Sequence, residues 1–257
     1  MAEFNHDHPL GRQEIITGAD ATARLRGAAA LLCGIGGVGS WAAEAMVRCG
    51  LGTLAMVDFD TIKASNLNRQ LEALHSTLGQ EKCRVLAMRL HDIAPECQIE
   101  CHQMRLTDNN IPPLLSSRQW DVVIDCIDDR NAKLSLLLQC VRSGLRVVSS
   151  MGAAGKVHPE LIRVGQLSQT DGCPVARTIR KSLRKCGVER GVTCVFSPEL
   201  PVLGQSPAPE HDGERRPLGT LVTVTAAFGL RVADAALRPI MGLDELPHRG
   251  GWRPPTS

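Results

Sequence analysis

Residues 28–33 (AAALLC) are an apolar run that stops at a cluster of glycines, and they predict a buried strand. From Val38 to Cys49 the pattern VGSWAAEAMVRC is Ala-rich and helical, closed by Gly50 and Gly52. LAMVD (54–58) predicts a second strand, 75–93 a helix ending before Pro95, and QIECHQM (98–104) a third strand of alternating polarity. IPPLL (111–115) opens with proline, as a short helix does. DVVIDCID (121–128) predicts a fourth strand, RNAKLSLLLQCVR (130–142) a helix ended by Gly144, and LRVVSSMG (145–152) a fifth strand. This alternation predicts an α/β, Rossmann-like fold: a mostly parallel sheet with helices on both faces.

After residue 152 the pattern changes. LIRVGQL (161–167) predicts a strand at a sheet edge, and PVARTIRKSLRKC (174–186) a helix with Val175, Ile179 and Leu183 on one face. TCVFS (193–197) predicts a strand, 198–217 a mobile loop, and 221–237 a helix apolar enough to pack on the sheet. The tail PHRGGWRPPTS is expected to be poorly ordered.

Composition refines this picture in a few places. Aromatics are 3% with no Tyr, so the core is built from Leu, Val, Ile and Ala. A net charge of +2 says nothing by itself about nucleic acid; that needs a local basic patch. Ten cysteines include no Cys-x-x-Cys, and the Cys97–Cys101 pair is one residue too long for the commonest zinc-knuckle spacing, so no zinc is expected. Cys33, Cys126 and Cys140 lie in apolar runs and read as buried thiols. Many unpaired thiols and an N-terminus without an apolar signal region fit a reducing cytoplasm. No apolar stretch is long enough for a membrane span.

The glycines of GIGGVGSW (34–41) fit Gly-x-Gly-x-x-Gly between a strand and a helix, where backbone N–H groups and a helix N-terminus meet phosphate. Asp58 closes the second strand, where a carboxylate reaches ribose hydroxyls. These features suit a dinucleotide and ATP alike. The segment 58–70 (DFDTIKASNLNRQ) favours ATP. Asn66, Asn68, Arg69 and Gln70 follow the carboxylate, and Lys82 comes 13 residues after Arg69. An Arg and a Lys over a phosphate loop suit a triphosphate, whereas nicotinamide needs an apolar slot. Asp125 and Asp128 bracket the end of the fourth strand and could hold Mg²⁺ there; Asp129 reads as a helix cap.

GIGGVGS, VDFD, SNLNRQ, the GQEK lysine and DCID, in that order, resemble the ubiquitin-activating-like adenylating enzymes over residues 10 to about 155. The resemblance implies that Gly34, Gly36, Gly37 and Gly39 wrap ATP phosphates and that Asp58 holds the ribose. It implies phosphate contacts from Asn66, Arg69 and Lys82, and Mg²⁺ on Asp128, with a monovalent cation as a further ligand. Arg12 falls where the family places an arginine reaching into the partner's site of a homodimer. The activators of sulfur-carrier proteins carry two Cys-x-x-Cys pairs, absent here. SMGAAGKVHP, CPVARTIRKSLRK, CVFSPE and LGTLVTVTAAFGL instead resemble the branch of tRNA threonylcarbamoyladenosine dehydratases. Pro198, and Asp129 in place of Asn, depart from its pattern. The implied organisation is a single adenylating unit over 1–257: a nucleotide-binding core (10–155), a substrate-side portion (156–240) and a tail (241–257).

The implied chemistry is adenylation of the threonine carboxylate of N6-threonylcarbamoyladenosine in tRNA, followed by ring closure. Arg177, Arg180, Lys181, Arg184 and Lys185 would then meet tRNA phosphates. Trp41, Phe59, Trp120 and Phe196 are the few candidates for stacking on a base. In some bacteria a cysteine desulfurase and its sulfur acceptor accompany the branch, which raises Cys194 as a sulfur-receiving thiol. The rival readings are an activator of a ubiquitin-like sulfur carrier, a nicotinamide-dependent oxidoreductase, and a noncatalytic nucleotide-binding partner.

Overall fold

The structure, a computed structural model, describes residues 8–202 and 218–243. Two helices come first, α1 (Gly11–Thr17) and α2 (Ala19–Gly27). Then follow β1 (Ala29–Cys33), α3 (Gly39–Arg48), β2 (Thr53–Val57), α4 (Lys82–Ile93), β3 (Gln98–His102), α5 (Ile111–Ser116) and β4 (Val122–Asp125). The rest are α6 (Arg130–Arg142), β5 (Val147–Ser150), β6 (Arg163–Gln166), α7 (Pro174–Lys185), β7 (Val192–Phe196) and α8 (Val222–Met241).

One seven-stranded sheet runs β3-β2-β1-β4-β5-β7-β6. All pairs are parallel except β6 with β7, so the predicted edge strand closes the sheet antiparallel. β1, β2, β4 and β5 are buried along their whole length, which is why they read as unbroken apolar runs. Leu32, Met46, Leu54, Leu86 and Phe228 belong to the core on one face, which takes α2, α3, α4 and α8; Leu31, Ile111, Leu137 and Ile179 belong to the other, which takes α5, α6 and α7. Arg24 of α2 caps the far end of α8 by donating to the carbonyls of Ile240 and Met241.

The order of strands reverses between β1 and β4. In such a sheet the ligand crevice opens there, beyond the carboxyl ends of the strands. The largest difference from the sequence pattern lies beside that crevice. The helix expected over 75–93 starts only at Lys82. Upstream, 60–62 and 79–82 hold each other: Ile62 N–H donates to Gln80 O (2.9 Å), Gly79 N–H to Ile62 O (2.9 Å) and Lys82 N–H to Asp60 O (3.2 Å). Gly79, at φ +82°, makes the turn. The sequence pattern predicts neither α1 nor α2. α8 runs on to Met241, past Pro239, and ends on Gly242 in the left-handed region. Most of the predicted 198–217 loop and of the 241–257 tail lies outside the described residues.

Candidate active site

The carboxyl ends of β1, β2, β4 and β5 open into a cavity of about 1740 Å³. Ligand pockets usually span about 300–1,000 Å³, so this one has room for a nucleotide and a second reactant. The glycine loop forms one wall. Gly34 has φ +86°, and a Cβ there would lie 2.8 Å from the Cys126 carbonyl oxygen. A Cβ on Gly39 would lie 1.9 Å from Gly34 O. The fold itself demands these two glycines. Gly36 is different: its Cβ would meet nothing nearer than Gln70 Nε2, at 3.6 Å. Packing therefore leaves the space over Gly36 open to a ligand, and the N-terminus of α3 faces the same loop, where an anion is favoured.

Asp58 anchors this loop. Its Oδ2 accepts from Ile35 N–H (2.9 Å) and its Oδ1 from Asp60 N–H (2.9 Å). A carboxylate has about four acceptor sites, so capacity for ribose hydroxyls remains. Arg69 lies across Gly37, whose Cβ would fall 3.0 Å from Arg69 Cγ. Arg69 Nη1 donates to Ser65 O (2.8 Å) and Asn68 Oδ1 (2.9 Å), and Trp41 Nε1 donates to Arg69 O (3.0 Å). Lys82 is buried, with Nζ 3.1 Å from Asp60 Oδ2. Asn66 accepts Lys63 N–H through Oδ1 (3.0 Å), which leaves its amide donors uncommitted. Gly36, Asp58, Asn66, Arg69, Lys82 and Asp128 all line the one cavity.

The two acidic residues near the end of β4 part company. Asp125 is fully buried, 2.6 Å from Lys133 Nζ, and accepts from Ser149 Oγ (2.5 Å). The expectation that Asp125 shares a metal with Asp128 is therefore corrected: its charge is already neutralised inside the protein. Asp128 is exposed on the cavity wall and makes no hydrogen bond or ion pair among the described residues. Asp129 caps α6, accepting from Asn131 N–H (2.9 Å) and Ala132 N–H (3.0 Å). Among the described residues no three His, Cys, Asp or Glu groups form a metal cluster. Mg²⁺ bound to a triphosphate needs only one or two carboxylates and keeps its waters, and the uncommitted Asp128 fits that role.

Several residues of this cavity are not evident from the sequence pattern. Lys133 and Lys156 are buried cavity residues. Arg105 stacks over the exposed Phe59, 3.9 Å from the ring centroid, on the cavity rim. Only the Lys133 position carried a signal: it shares the buried face of α6 with Leu136, Leu137 and Cys140. Phe59 stays accessible as a stacking platform, while Trp120 and Phe196 are buried in the core, which corrects their candidacy. On α7, Arg177, Lys181, Arg184 and Lys185 are exposed. Arg180 departs from that set: its Nη1 donates to the carbonyls of Leu167 (3.3 Å) and Thr170 (2.6 Å) and fixes the preceding turn. Arg12 is exposed on α1 and does not line its own chain's cavity. Cys194 is buried, and burial pushes its thiol up to about 12, so it is neither exposed nor activated to accept sulfur. No described helix is long and apolar enough to cross a membrane.

Comparison with known proteins places this geometry. The tRNA threonylcarbamoyladenosine dehydratase of Bacillus subtilis is 37% identical over 76% of this chain and 77% of its own length. That of Escherichia coli is 36% identical over 86% and 92%. The crystal structure of the E. coli enzyme, TcdA, in complex with ATP superposes with a TM-score of 0.83 at 32% identity, covering 94% of this chain and 98% of that one. The model of the ThiF family matches residues 10–252. The chain belongs to the ThiF family.

Proposed function

We propose that this chain is an ATP-dependent dehydratase that cyclises N6-threonylcarbamoyladenosine in tRNA. The observation that carries the reading is a single cavity lined by a phosphate loop, by Arg69 and Lys82, by the uncommitted Asp128, and by residues at the end of β5. Its relatives with that named activity match along most of their length.

The threonine carboxylate is a poor electrophile. One of its oxygens attacks the α-phosphorus of ATP, an acyl–phosphate bond forms and pyrophosphate leaves. The carbamoyl group of the same modification then attacks the acyl carbon, the bond to AMP breaks, and a proton goes to solvent. The net change is loss of one water from the nucleoside. Because the nucleophile is intramolecular, proximity supplies much of the rate and no enzyme nucleophile is needed. Nothing in the scheme calls on a thiol.

The chain's own task is binding and charge neutralisation. Gly36 and Gly37 offer backbone to the phosphates and Asp58 takes the ribose hydroxyls. Arg69 and Lys82 neutralise charge that grows on phosphate oxygens during in-line attack. For Lys82 this means exchanging Asp60 for phosphate, a short movement of a flexible stem. Asp128 would hold Mg²⁺, which when bound shares that charge. The wall at β5, lined by Gly152 and Ala153, holds the acyl substrate away from water. The exposed cations of α7, Arg177, Lys181, Arg184 and Lys185, take tRNA phosphates. The exposed position of Arg12 suits a homodimer in which it completes the partner's site.

The test is AMP and pyrophosphate release from ATP and Mg²⁺ with tRNA carrying the modification. The reading expects release only with modified tRNA and its loss in Arg69→Ala. Release with a ubiquitin-like carrier protein instead would overturn it.

A further inference from the structure

Three lysines are buried on the cavity wall, and they are not equivalent. Lys82 pairs with Asp60 and Lys133 with Asp125. Lys156, 2% exposed, has no carboxylate within ion-pair distance among the described residues. Its one hydrogen bond among the described residues goes to the main-chain carbonyl of Glu199. The Glu199 carboxylate is engaged elsewhere, accepting from Val157 N–H (3.0 Å) and His158 N–H (3.3 Å).

A buried ammonium with one carbonyl for company is unfavourable, and burial holds its pKa below the ordinary lysine value against the opposing pull of Cys173 and Glu199. The backbone around it is held on both sides. Gly155 N–H donates to Gly219 O (2.8 Å), and Val202 N–H donates to Gly155 O (2.6 Å). The small or apolar residues Gly152, Ala153, Ala154 and Val175 line the same cavity. The first three follow the end of β5, two strands along from the glycine loop that follows β1. A charge kept at this cost, on the wall of the cavity that also holds the phosphate loop, calls for an anion carried by the second reactant.

We infer that Lys156 is the recognition residue for the carboxylate of the acyl substrate, pairing with it before adenylation and turning one oxygen toward the α-phosphorus. The inference rests on the dehydratase reading above. It makes Lys156 a determinant of substrate binding, and it predicts selection against substrates whose carboxyl group is uncharged.

The experiment compares two anticodon stem-loop RNAs, one carrying threonylcarbamoyladenosine and one carrying its threonine methyl ester. Binding is followed by fluorescence anisotropy with a nonhydrolysable ATP analogue present. Charge-assisted hydrogen bonds of this kind carry roughly 10- to 100-fold in affinity, so the wild type should prefer the carboxylate by about that factor. Lys156→Gln should bind both RNAs within about twofold of each other, Lys156→Arg should keep much of the preference, and ATP affinity should stay unchanged. A lysine that merely pins Glu199 would leave the preference intact in Lys156→Gln, and that result overturns the inference. Equal binding of both RNAs by the wild type overturns it too, while leaving the dehydratase reading to stand on turnover of the carboxylate RNA. Absence of that turnover in the wild type removes both. Should Lys156→Gln lose ATP binding as well, Lys156→Arg decides: a retained preference supports the inference and equal affinities overturn it.

Discussion

Glu72, close to Ser40, Asp58 and Lys82, is 1% exposed, and neither carboxylate oxygen has a hydrogen-bond partner among the described residues. The neighbouring Ser40 hydroxyl donates to Gly36 O (2.8 Å). Burial pushes the Glu72 carboxyl up from 4.5 to about 7, with Asp58 adding to the rise, Lys82 opposing it and the proximity of Ser40 pulling it down somewhat. The native state therefore holds a proton that the unfolded state has released across this interval. Stability linked to Glu72 is fully present below about pH 4.5 and is lost as pH rises through about 7. At about 1.4 kcal/mol per pH unit, the total is about 3 kcal/mol. Glu72→Gln cannot titrate, and any cost of burying its amide is the same at every pH. Thermal or denaturant melts of both proteins from about pH 5 to pH 8 should show Glu72→Gln gaining on the wild type as pH rises. For a chain of this size the gain in melting temperature is roughly 6–12 °C across the range. Parallel stability curves over that range would mean that Glu72 does not hold its proton in the folded state.

Other expectations follow from the same geometry. Gly39→Ala pushes a Cβ to 1.9 Å from a backbone oxygen and should cost about 3 kcal/mol in denaturant melts, whereas Gly36→Ala, with 3.6 Å of room, should keep the fold and weaken ATP binding by calorimetry. Lys133→Met removes the ion-pair partner of the buried Asp125, leaving it only the Ser149 hydroxyl and the Ile127 N–H, and should lower stability by about 3–5 kcal/mol in denaturant melts at neutral pH. Replacing Arg177, Lys181, Arg184 and Lys185 with Ala should flatten the salt dependence of tRNA binding, by a slope change of about one for each phosphate that is no longer neutralised; an unchanged slope would move the tRNA to another face.

Much of this was legible in the sequence, for physical reasons. Strands covered on both faces must be apolar throughout, so AALLC, TLAMV and VVID announced themselves. A parallel sheet sends every strand's carboxyl end to one edge, so Gly34, Asp58 and Asp128 had to converge once the strands were placed. What stayed hidden depends on partners distant along the chain. Asp125 and Asp128 look alike until Lys133 and Ser149, 8 and 24 residues away from Asp125, claim the first. Arg180 reads as one of a basic run until the carbonyls of Leu167 and Thr170 take it. The helices α1 and α2 escaped because few of their residues are buried, leaving little apolar period to detect. Lys156 sits in a loop with no period at all, and only the closed fold shows that its charge lacks a counter-ion among the described residues.

If this cavity adenylates and then cyclises a nucleoside in tRNA, the product carries the signature. The most direct measurement digests the tRNA under mild conditions after reaction with ATP and Mg²⁺, weighs the nucleosides and counts AMP. Threonylcarbamoyladenosine should lose the mass of one water, with one AMP for each ring formed. AMP formed without that loss of mass, or no AMP at all from fully modified tRNA, would contradict the dehydratase function.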